Sequence, residues 1–265
     1  MKSKITFVGS GNVAGHLAKA FDLAGFQIHQ IVSRNVDSGK QLAKKFAAYF
    51  SNHTDGILED SDFIFLTIPD SAIESTIQKI TTNSPIFMHC AGSCSLDMIA
   101  KYKPSSAVFY PLQTFTKDRP VNFFKVPVFV EAKEIAVIRS VTALAETISN
   151  NVVQLNSEKR SYLHLAAVMA NNFTNHLLGE AGKVLEREQM PLSWLKPLME
   201  ETVNKAFDLN PSHSQTGPAI RKDDVTINKH LQMLENDPKL KELYSILSKH
   251  ISDKASESTK TSSDQ

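Results

Sequence analysis

Short apolar runs and amphipathic stretches of helical period alternate along the first 155 residues. The runs Ile5–Val8 and Asp62–Ile68 are almost wholly apolar, which is typical of strands in a parallel sheet covered on both faces. Stretches with helical spacing, such as Asn12–Leu23, follow these runs. The alternation predicts βαβ units around one parallel sheet. The other predicted strands are Gln27–Val32, Pro85–His89, Ala107–Leu112, Val126–Glu131 and Val152–Leu155, and the other predicted helices are Asp37–Phe46, Asp70–Ile80 and Lys133–Ile148.

The pattern changes after Leu155, where strand-like runs stop and only helical spacing continues. The predicted helices are Glu158–Val184, Pro191–Phe207, Asp224–Gln232 and Pro238–His250. The last residues contain Ser, Thr, Lys and acids but no core-forming side chain, which predicts disorder. We therefore expect an α/β domain over residues 1–155, an all-α domain over 156–252 and a disordered tail over 253–265.

Charge is balanced over the chain, because 29 Lys and Arg and 28 Asp and Glu give a net charge of +1. This balance argues against nucleic acid or an acidic membrane surface as a partner. No run approaches the ~20 apolar residues of a membrane span, and Ile5–Val8 is too short for a signal peptide, so we expect a cytoplasmic protein. Cys90 and Cys94 lack zinc or redox spacing, and the histidines lack metal-ligand spacing. We expect two reduced thiols and no metal.

The segment Gly9-Ser10-Gly11-Asn12-Val13-Ala14 fits the pattern G-x-G-x-x-A between the first predicted strand and the first predicted helix. In that setting the first glycine permits a tight turn, the second lets the backbone approach a pyrophosphate, and the alanine permits close packing of helix on strand. The helix N-terminus then offers N–H groups to the phosphates. The motif predicts a Rossmann-type domain in which Gly9, Ser10, Gly11, Asn12 and Val13 contact a dinucleotide. A glycine-rich turn in another α/β protein is the alternative.

The end of the second predicted strand indicates which dinucleotide binds. NAD-binding domains usually carry Asp or Glu there, to bond the ribose 2′-hydroxyl. Here the strand ends in Ser33-Arg34-Asn35, without an acid. Arg34 can pair with a 2′-phosphate and Ser33 can donate a hydrogen bond, so the sequence favours NADP. Alternatively, Arg34 is a solvated surface residue.

Three more turns follow predicted strands at their carboxyl ends, the edge at which open α/β sheets bind ligands. They contain Ile68-Pro69-Asp70, Gly92 and Gln113. We assign Ile68, Pro69, Asp70 and Gly92 to the cofactor and Gln113 to a substrate. Asp70 is more often the N-cap of the next helix than a catalytic acid.

These motifs resemble those of known families. Gly9–Gly15, Ser33-Arg34 and Ile68-Pro69-Asp70 resemble the pyrroline-5-carboxylate reductases and the 6-phosphogluconate-dehydrogenase-like NADP enzymes. Residues 3–250 are similar to a narrower bacterial family of Rossmann-like oxidoreductases with a C-terminal helical domain of unknown function. The segments that carry this second resemblance are Tyr110–Phe115, His164–Ala167 with Asn172, and Thr216–Asp224. The resemblance implies an NADP-dependent oxidoreductase and supplies no substrate.

The chain departs from the better-known relatives at catalytic positions. β-Hydroxyacid dehydrogenases and ketopantoate reductase use a Lys with an Asn one turn later, and no lysine between Lys159 and Lys249 has an Asn four residues on. The Pro-Gly-Gly-Thr-Thr signature of pyrroline-5-carboxylate reductase is missing, and Gln215–Pro218 occupies a comparable stretch. Tyr110 stands where family members often have a histidine, so the resemblance gives this position no role as a proton donor.

Reduction of a C=O or C=N bond requires a hydride from the nicotinamide and a proton from an acid. His164 is the best candidate acid because imidazole titrates near neutral pH, and Asn172 could orient a substrate carbonyl from the same helix. A partly buried histidine bonded to backbone is the alternative for His164. Arg221 could clamp a substrate carboxylate; alternatively, Arg221 and Asp223 tie their loop to a neighbouring helix or subunit.

The leading hypothesis is an NADP-dependent oxidoreductase that acts on a small metabolite. A non-catalytic NADP-binding sensor or scaffold is the alternative, and the missing Lys–Asn pair favours it. A deazaflavin-dependent NADP reductase is a third hypothesis, which the long helical extension disfavours. We also expect a homodimer through the C-terminal domain, because the apolar positions of Leu163–Leu177 and Pro191–Phe207 exceed what one thin helical layer can cover.

Overall fold

The computed structural model describes residues 2–261, and its first part is built on one eight-stranded sheet. The strands are β1 (Lys4–Val8), β2 (Gln27–Val32), β3 (Tyr49–Ser51), β4 (Phe63–Leu66), β5 (Ile86–His89), β6 (Ser106–Pro111), β7 (Val128–Ala132) and β8 (Val152–Gln154). Their order in the sheet is β3-β2-β1-β4-β5-β6-β7-β8. Neighbouring strands are parallel except β6 and β7, which pair antiparallel. The predicted mostly parallel sheet is confirmed.

Helices cover both faces of the sheet. They are α1 (Asn12–Leu23), α2 (Val36–Lys45), α3 (Asp70–Ile77), α4 (Asp97–Ala100) and α5 (Ile135–Glu146). Leu17 of α1 and Val141 of α5 belong to one buried cluster, and Ile73 of α3 and Ile99 of α4 belong to another. Burial on both faces explains why the central strands are continuous apolar runs rather than alternating ones.

The sequence pattern predicts neither β3 nor α4. Three strand residues and four helical residues are too few to show a period. Short 3₁₀ turns at Thr54–Gly56 and Phe123–Lys125 likewise leave no periodic signal.

Beyond Gln154 the described residues contain helices and no strand, as expected. The elements are α6 (Ser157–Ala167), a π-helical segment (Val168–Phe173), α7 (Thr174–Arg187), a 3₁₀ turn (Leu192–Leu195), α8 (Lys196–Leu209), α9 (Pro211–Ser214), α10 (Asp224–Met233) and α11 (Pro238–Thr261). The predicted helix Glu158–Val184 is therefore not one regular α-helix, because the π-helical segment interrupts it.

The chain divides into two compact units, Met1–Phe173 and Thr174–Gln265. The first unit includes α6 and the π-helical segment, and the predicted domain boundary after Leu155 stays a prediction. Helix α11 continues to Thr261, where we expected a disordered tail, and residues 262–265 of that tail lie outside the described residues. Over the described part of the chain, no helix has the length and apolar character needed to cross a membrane.

A buried arginine fastens α6 to the sheet. The Arg160 side chain is fully buried, and its guanidinium donates to the Glu131 carboxylate on β7 and to the carbonyl oxygen of Cys94. The Ser157 hydroxyl donates to Glu131 Oε2 at 2.8 Å and accepts from the N–H of Leu96 at 3.0 Å. These bonds hold the first turns of α6 against β7 and the loop between β5 and α4.

Replacement of Arg160 by Ala should lower the free energy of unfolding by about 3–5 kcal/mol, because the Glu131 carboxylate loses its partner in a mostly dry site. Urea denaturation measures the change. The matched control is Lys133→Ala, which breaks the exposed pair between Lys133 and Asp97 and should cost at most about 1 kcal/mol. Equal, small losses in both variants would contradict the role of Arg160.

Candidate active site

The loop between β1 and α1 turns tightly over the end of β4. Gly9 has a φ of +118°, and a Cβ at this position would lie 2.3 Å from the carbonyl oxygen of Thr67. The Gly9 N–H donates to the carbonyl of Val32, at the end of β2, at 2.8 Å. The left-handed backbone and the close strand together require glycine here.

The second glycine of the loop serves a different purpose. Gly11 is the N-cap of α1, no side chain caps the first turn, and a Cβ at position 11 would meet no atom within 4 Å. The first turn of α1 therefore presents its N–H groups to open space, as an anion site requires.

Hydroxyl groups and a free guanidinium flank this loop at the end of β2. Ser10 Oγ lies 2.8 Å from Ser33 Oγ and 2.7 Å from Ser38 Oγ. Asn35 caps α2 by accepting from the N–H of Ser38 at 3.1 Å. Arg34 is exposed, and no ion pair among the described residues involves it. This end of β2 therefore offers donors and one unpaired positive charge, which suits a ribose 2′-phosphate.

Two residues of the motif are oriented toward protein rather than toward a ligand. The side-chain amide of Asn12 donates to the carbonyl oxygen of Phe115 at 2.9 Å, and Val13 is half-buried against the core. Any contact that Asn12 and Val13 make with a dinucleotide would therefore come from their backbone N–H groups.

The turns after β4 and β5 are joined by a side-chain hydrogen bond. Asp70 Oδ2 accepts from Ser93 Oγ at 2.8 Å. Pro69 holds the N-cap position of α3, Asp70 is the first helical residue, and no side chain makes a capping bond there. The expected N-cap role of Asp70 is therefore wrong, because the carboxylate is directed to the neighbouring turn. Ile68 is half-buried beside these residues.

Tyr110 and His164 form a pair at the carboxyl end of β6. The hydroxyl of Tyr110 lies 3.0 Å from Nδ1 of His164, and their ring centroids are 6.0 Å apart. Burial raises the pKa of Tyr110, with a smaller opposing influence from the Arg160 charge. The tyrosine therefore remains protonated at neutral pH and able to donate a hydrogen bond.

Gly92 forms the floor under the imidazole of His164. A Cβ at position 92 would lie 2.5 Å from Nδ1 of His164, so only glycine lets the ring approach the turn after β5. Gly92, which we expect to contact the cofactor, therefore also determines how closely the His164 ring approaches the turn after β5. Arg160, one turn earlier on α6, anchors the same helix.

The remaining candidate residues are more dispersed. Asn172 is exposed in the π-helical segment, where the wider turn invalidates the angular relation to His164 derived from regular helical spacing. Gln113 is exposed after β6, and its Oε1 accepts from the N–H of Thr114 at 2.8 Å. Arg221 is exposed in the second compact unit, where Asp223 caps α10 by accepting from Thr226.

Sequence reasoning missed the contacts that organise this edge. Tyr110 belongs to a predicted strand, but its pairing with His164 joins residues 54 positions apart. The bond from Arg160 to Glu131 is similarly long-range. A lone arginine one turn before a candidate histidine was the only signal available. In both cases the partner is fixed by tertiary packing rather than by local pattern.

The residues present fit a dinucleotide phosphate. A glycine with open space at its Cβ position precedes an uncapped helix N-terminus, and the hydroxyls of Ser10 and Ser38 and the free Arg34 lie at the end of the next strand. Among the described residues, no three His, Cys, Asp or Glu side chains are grouped as metal ligands. The fold and site define a Rossmann-type dinucleotide-binding protein with a tyrosine–histidine pair at its ligand edge.

Comparison with known proteins identifies the family. A model for NADP oxidoreductases, described as coenzyme F420-dependent, matches residues 4–86, and a model for a domain of unknown function, DUF2520, matches residues 126–251. A solved "putative NADP oxidoreductase" from Bacteroides fragilis is 36% identical, with a TM-score of 0.90 over 95% of this chain and 98% of that chain. The chain belongs to this family of NADP oxidoreductases with a C-terminal DUF2520 domain.

More distant structures share the fold. Pyrroline-5-carboxylate reductase from Streptococcus pyogenes is 15% identical, with a TM-score of 0.61 over 95% of this chain and 97% of that chain. A reductive aminase from Aspergillus terreus, solved with NADPH and ethyl-5-oxohexanoate, is 13% identical, with a TM-score of 0.66 over 96% and 98%. At these identities the likeness concerns the fold alone. No curated protein matches the sequence.

The two loop glycines should respond differently to substitution. Gly9→Ala should destabilise the fold by about 2 kcal/mol or more, because it combines a positive φ with a backbone clash at Thr67. Gly11→Val should destabilise the fold by only about 1 kcal/mol, because valine is a poorer N-cap than glycine, and should abolish NADPH binding, because its side chain fills the open space before α1. Calorimetric titration and thermal unfolding measure both effects. Unchanged NADPH affinity in Gly11→Val would rule out the loop as the phosphate site.

His89, at the end of β5, should make folding stability depend on pH. Burial, assisted by the Arg160 charge, lowers its pKa from 6.5 to about 4. The unfolded chain therefore binds a proton at higher pH than the folded chain. Stability should be full above pH 6.5 and fall by about 3 kcal/mol as the pH drops toward 4. His89→Asn keeps an acceptor for the N–H of Ala91 but cannot titrate, and should flatten this part of the profile. Identical profiles of stability against pH in the wild type and the His89→Asn variant would show that His89 is not the titrating group.

Proposed function

We propose that this NADP oxidoreductase transfers a hydride between nicotinamide and the C=O or C=N carbon of a small metabolite, with His164 as the proton donor. The observation that carries the proposal is the Tyr110–His164 pair, which lies at the same sheet edge as the phosphate loop. In open α/β sheets this edge holds the ligand.

Different residues along this sheet edge bind different parts of the cofactor. Gly9, Ser10, Gly11 and the first N–H groups of α1 hold the pyrophosphate. Ser33 and Arg34 receive the 2′-phosphate, since Arg34 has no ionic partner of its own among the described residues. The backbone of Ile68, Pro69, Asp70 and Gly92 borders the nicotinamide half. When bound, the nicotinamide supplies the hydride.

Within the pair, the two side chains have different tasks. Tyr110 contacts Nδ1 of His164 and fixes the orientation of the imidazole, while Gly92 supports the ring from below. Nε2 would then remain available to donate a proton to the oxygen or nitrogen of the C=O or C=N group that is reduced. Arg160 acts through the backbone of α6 and is a positioning residue.

The substrate contacts remain proposals. Gln113 follows the end of β6, close to Tyr110 in sequence, and would donate or accept a hydrogen bond with a polar group of the substrate. Asn172 would orient its carbonyl or imine, and Arg221 would bind a carboxylate, or else tie its own loop to a neighbour.

A cytoplasmic location also stays a prediction.

NADPH oxidation with a panel of keto acids, cyclic imines and a deazaflavin tests the proposal. Once a substrate is found, His164→Asn should lower kcat by ~100-fold or more, because the amide cannot give up a proton. Tyr110→Phe should lower it less and shift its pH profile. Tyr162 is an exposed tyrosine on α6, and the control variant Tyr162→Phe should change neither kcat nor its pH profile. The His164→Asn and Tyr110→Phe variants should bind NADPH with wild-type affinity.

Two results would contradict the proposal. Full activity of His164→Asn would remove the proton donor. Tight NADPH binding by the wild type with no turnover on any panel member would favour the alternative, a non-catalytic sensor or scaffold.

We also propose a homodimer, because the described residues of the second compact unit form no buried apolar cluster of their own. Among its described residues, the buried apolar side chains are Ala219 and Leu234. Large apolar side chains on and before α8 remain exposed, including Trp194 at 66%, Leu198 at 61% and Phe207 at 88%. Exposed apolar patches of this kind mark surfaces that bind protein, and self-association around a two-fold axis is the commonest arrangement.

Light scattering at micromolar concentration should report twice the chain mass of 29.4 kDa. Trp194→Arg with Leu198→Arg should reduce it toward the mass of one chain, because the charges would be buried at the interface. The control Lys229→Glu changes an exposed charge on α10 and should leave the mass unchanged. A single-chain mass for the wild type would reject the dimer.

A further inference from the structure

A cavity of about 570 Å³ lies along the outer side of α1. Its walls are α1, the facing side of α2, the loop of residues 117–124, and Thr147 and Ile148 after α5. The proposed function gives no role to this space.

The cavity is separate from most of the dinucleotide site. It shares Ser10, Gly11, Asn12 and Ser38 with the phosphate loop region. The residues assigned to the 2′-phosphate and nicotinamide, including Arg34 and the turns after β4, β5 and β6, do not line it. A molecule in the cavity would therefore extend away from the reacting edge, along α1 toward its C-terminus.

Apolar side chains line the cavity although some of them face solvent. Leu23 is 78% exposed and Phe124 is 56% exposed, and Phe46 and Ile148 lie deeper. Large apolar side chains left open around a concave space are typical of a ligand site.

The charged groups around the cavity are nearly all positive. Lys19, Lys45, Lys117 and Arg119 line it, and none of them forms an ion pair with a described residue. Asp118 is the one acid in the lining. With four cations and one acid in its lining, the cavity attracts anions.

The loop that closes the cavity is held in place by α1. Nε2 of His16 lies 2.9 Å from the carbonyl oxygen of Thr116, next to the bond from Asn12 to Phe115. The ring of Phe115 packs on His16 and stacks on Phe123, with centroids 5.1 Å and 5.7 Å apart. These contacts give the wall a defined position before any ligand binds, which reduces the ordering cost of binding.

We propose that this cavity is a second binding site, for a small amphipathic anion with a carboxylate, sulfonate or phosphate group and an apolar body. The apolar body packs on Leu23, Phe46 and Phe124, and the anionic group pairs with Lys19 and Lys45. The cavity also touches Ser10 and Gly11, but a ligand held at Lys19 and Lys45 leaves that turn to the cofactor pyrophosphate of the proposed function.

The fluorescent anion 8-anilinonaphthalene-1-sulfonate is a suitable probe, titrated into the full chain with and without saturating NADPH. It should bind in both conditions. Lys19→Glu with Lys45→Glu should weaken its affinity at least tenfold while NADPH still binds. Lys44→Glu is the matched control, because Lys44 neighbours Lys45 on α2, is exposed and does not line the cavity; it should leave the affinity unchanged. Ala24→Trp, which fills the exposed end of the cavity, is a second variant if the double charge reversal does not fold.

Each other result overturns the proposal. Stoichiometric displacement of the probe by NADPH would place it in the cofactor site. Affinity that is the same in wild type, charge-reversed and Ala24→Trp proteins would place it on the exposed apolar helices instead. No probe binding at all would show that the cavity does not accept an amphipathic anion.

Discussion

The hydrogen bonds of the buried Arg160 guanidinium determine where α6, and with it the Tyr110–His164 pair, lies at the carboxyl edge of the sheet. The guanidinium joins the start of α6 to Glu131 on β7 and to the backbone after β5. A buried charge of this kind is stable only while its partners are in place, so the ion pair restrains the position of the helix. That position brings His164 onto Gly92 and beside Tyr110, from three separate segments of the chain.

The proposed phosphate-binding half of the site depends on backbone conformation. Gly9 must adopt a positive φ to pass Thr67, and Gly11 leaves space in front of an uncapped helix. The proposed phosphate site is thus formed by the backbone, and the side chains of Ser10, Ser33, Ser38 and Arg34 flank it. The proposed proton donor and the proposed phosphate site are therefore supported by different kinds of constraint, a buried ion pair in the first case and two glycines in the second.

The sequence predicted the sheet and the glycine-containing turn between β1 and α1, because both depend on local signals. Apolar runs mark buried parallel strands, and G-x-G-x-x-A marks a strand–turn–helix. It could not predict the π-helical segment after Ala167, because composition does not distinguish a π-turn from an α-turn. Nor could it pair Tyr110 with His164, or direct Asp70 to Ser93, because these contacts depend on how distant turns pack.

A structure of the protein with NADP⁺ bound would show directly whether the nicotinamide lies beside His164. The pyrophosphate should lie against Gly9–Gly11, the 2′-phosphate within hydrogen-bond distance of Arg34, and the nicotinamide ring beside Tyr110 and His164. A nicotinamide ring remote from His164, or a 2′-phosphate that Arg34 does not contact, would contradict the proposed site.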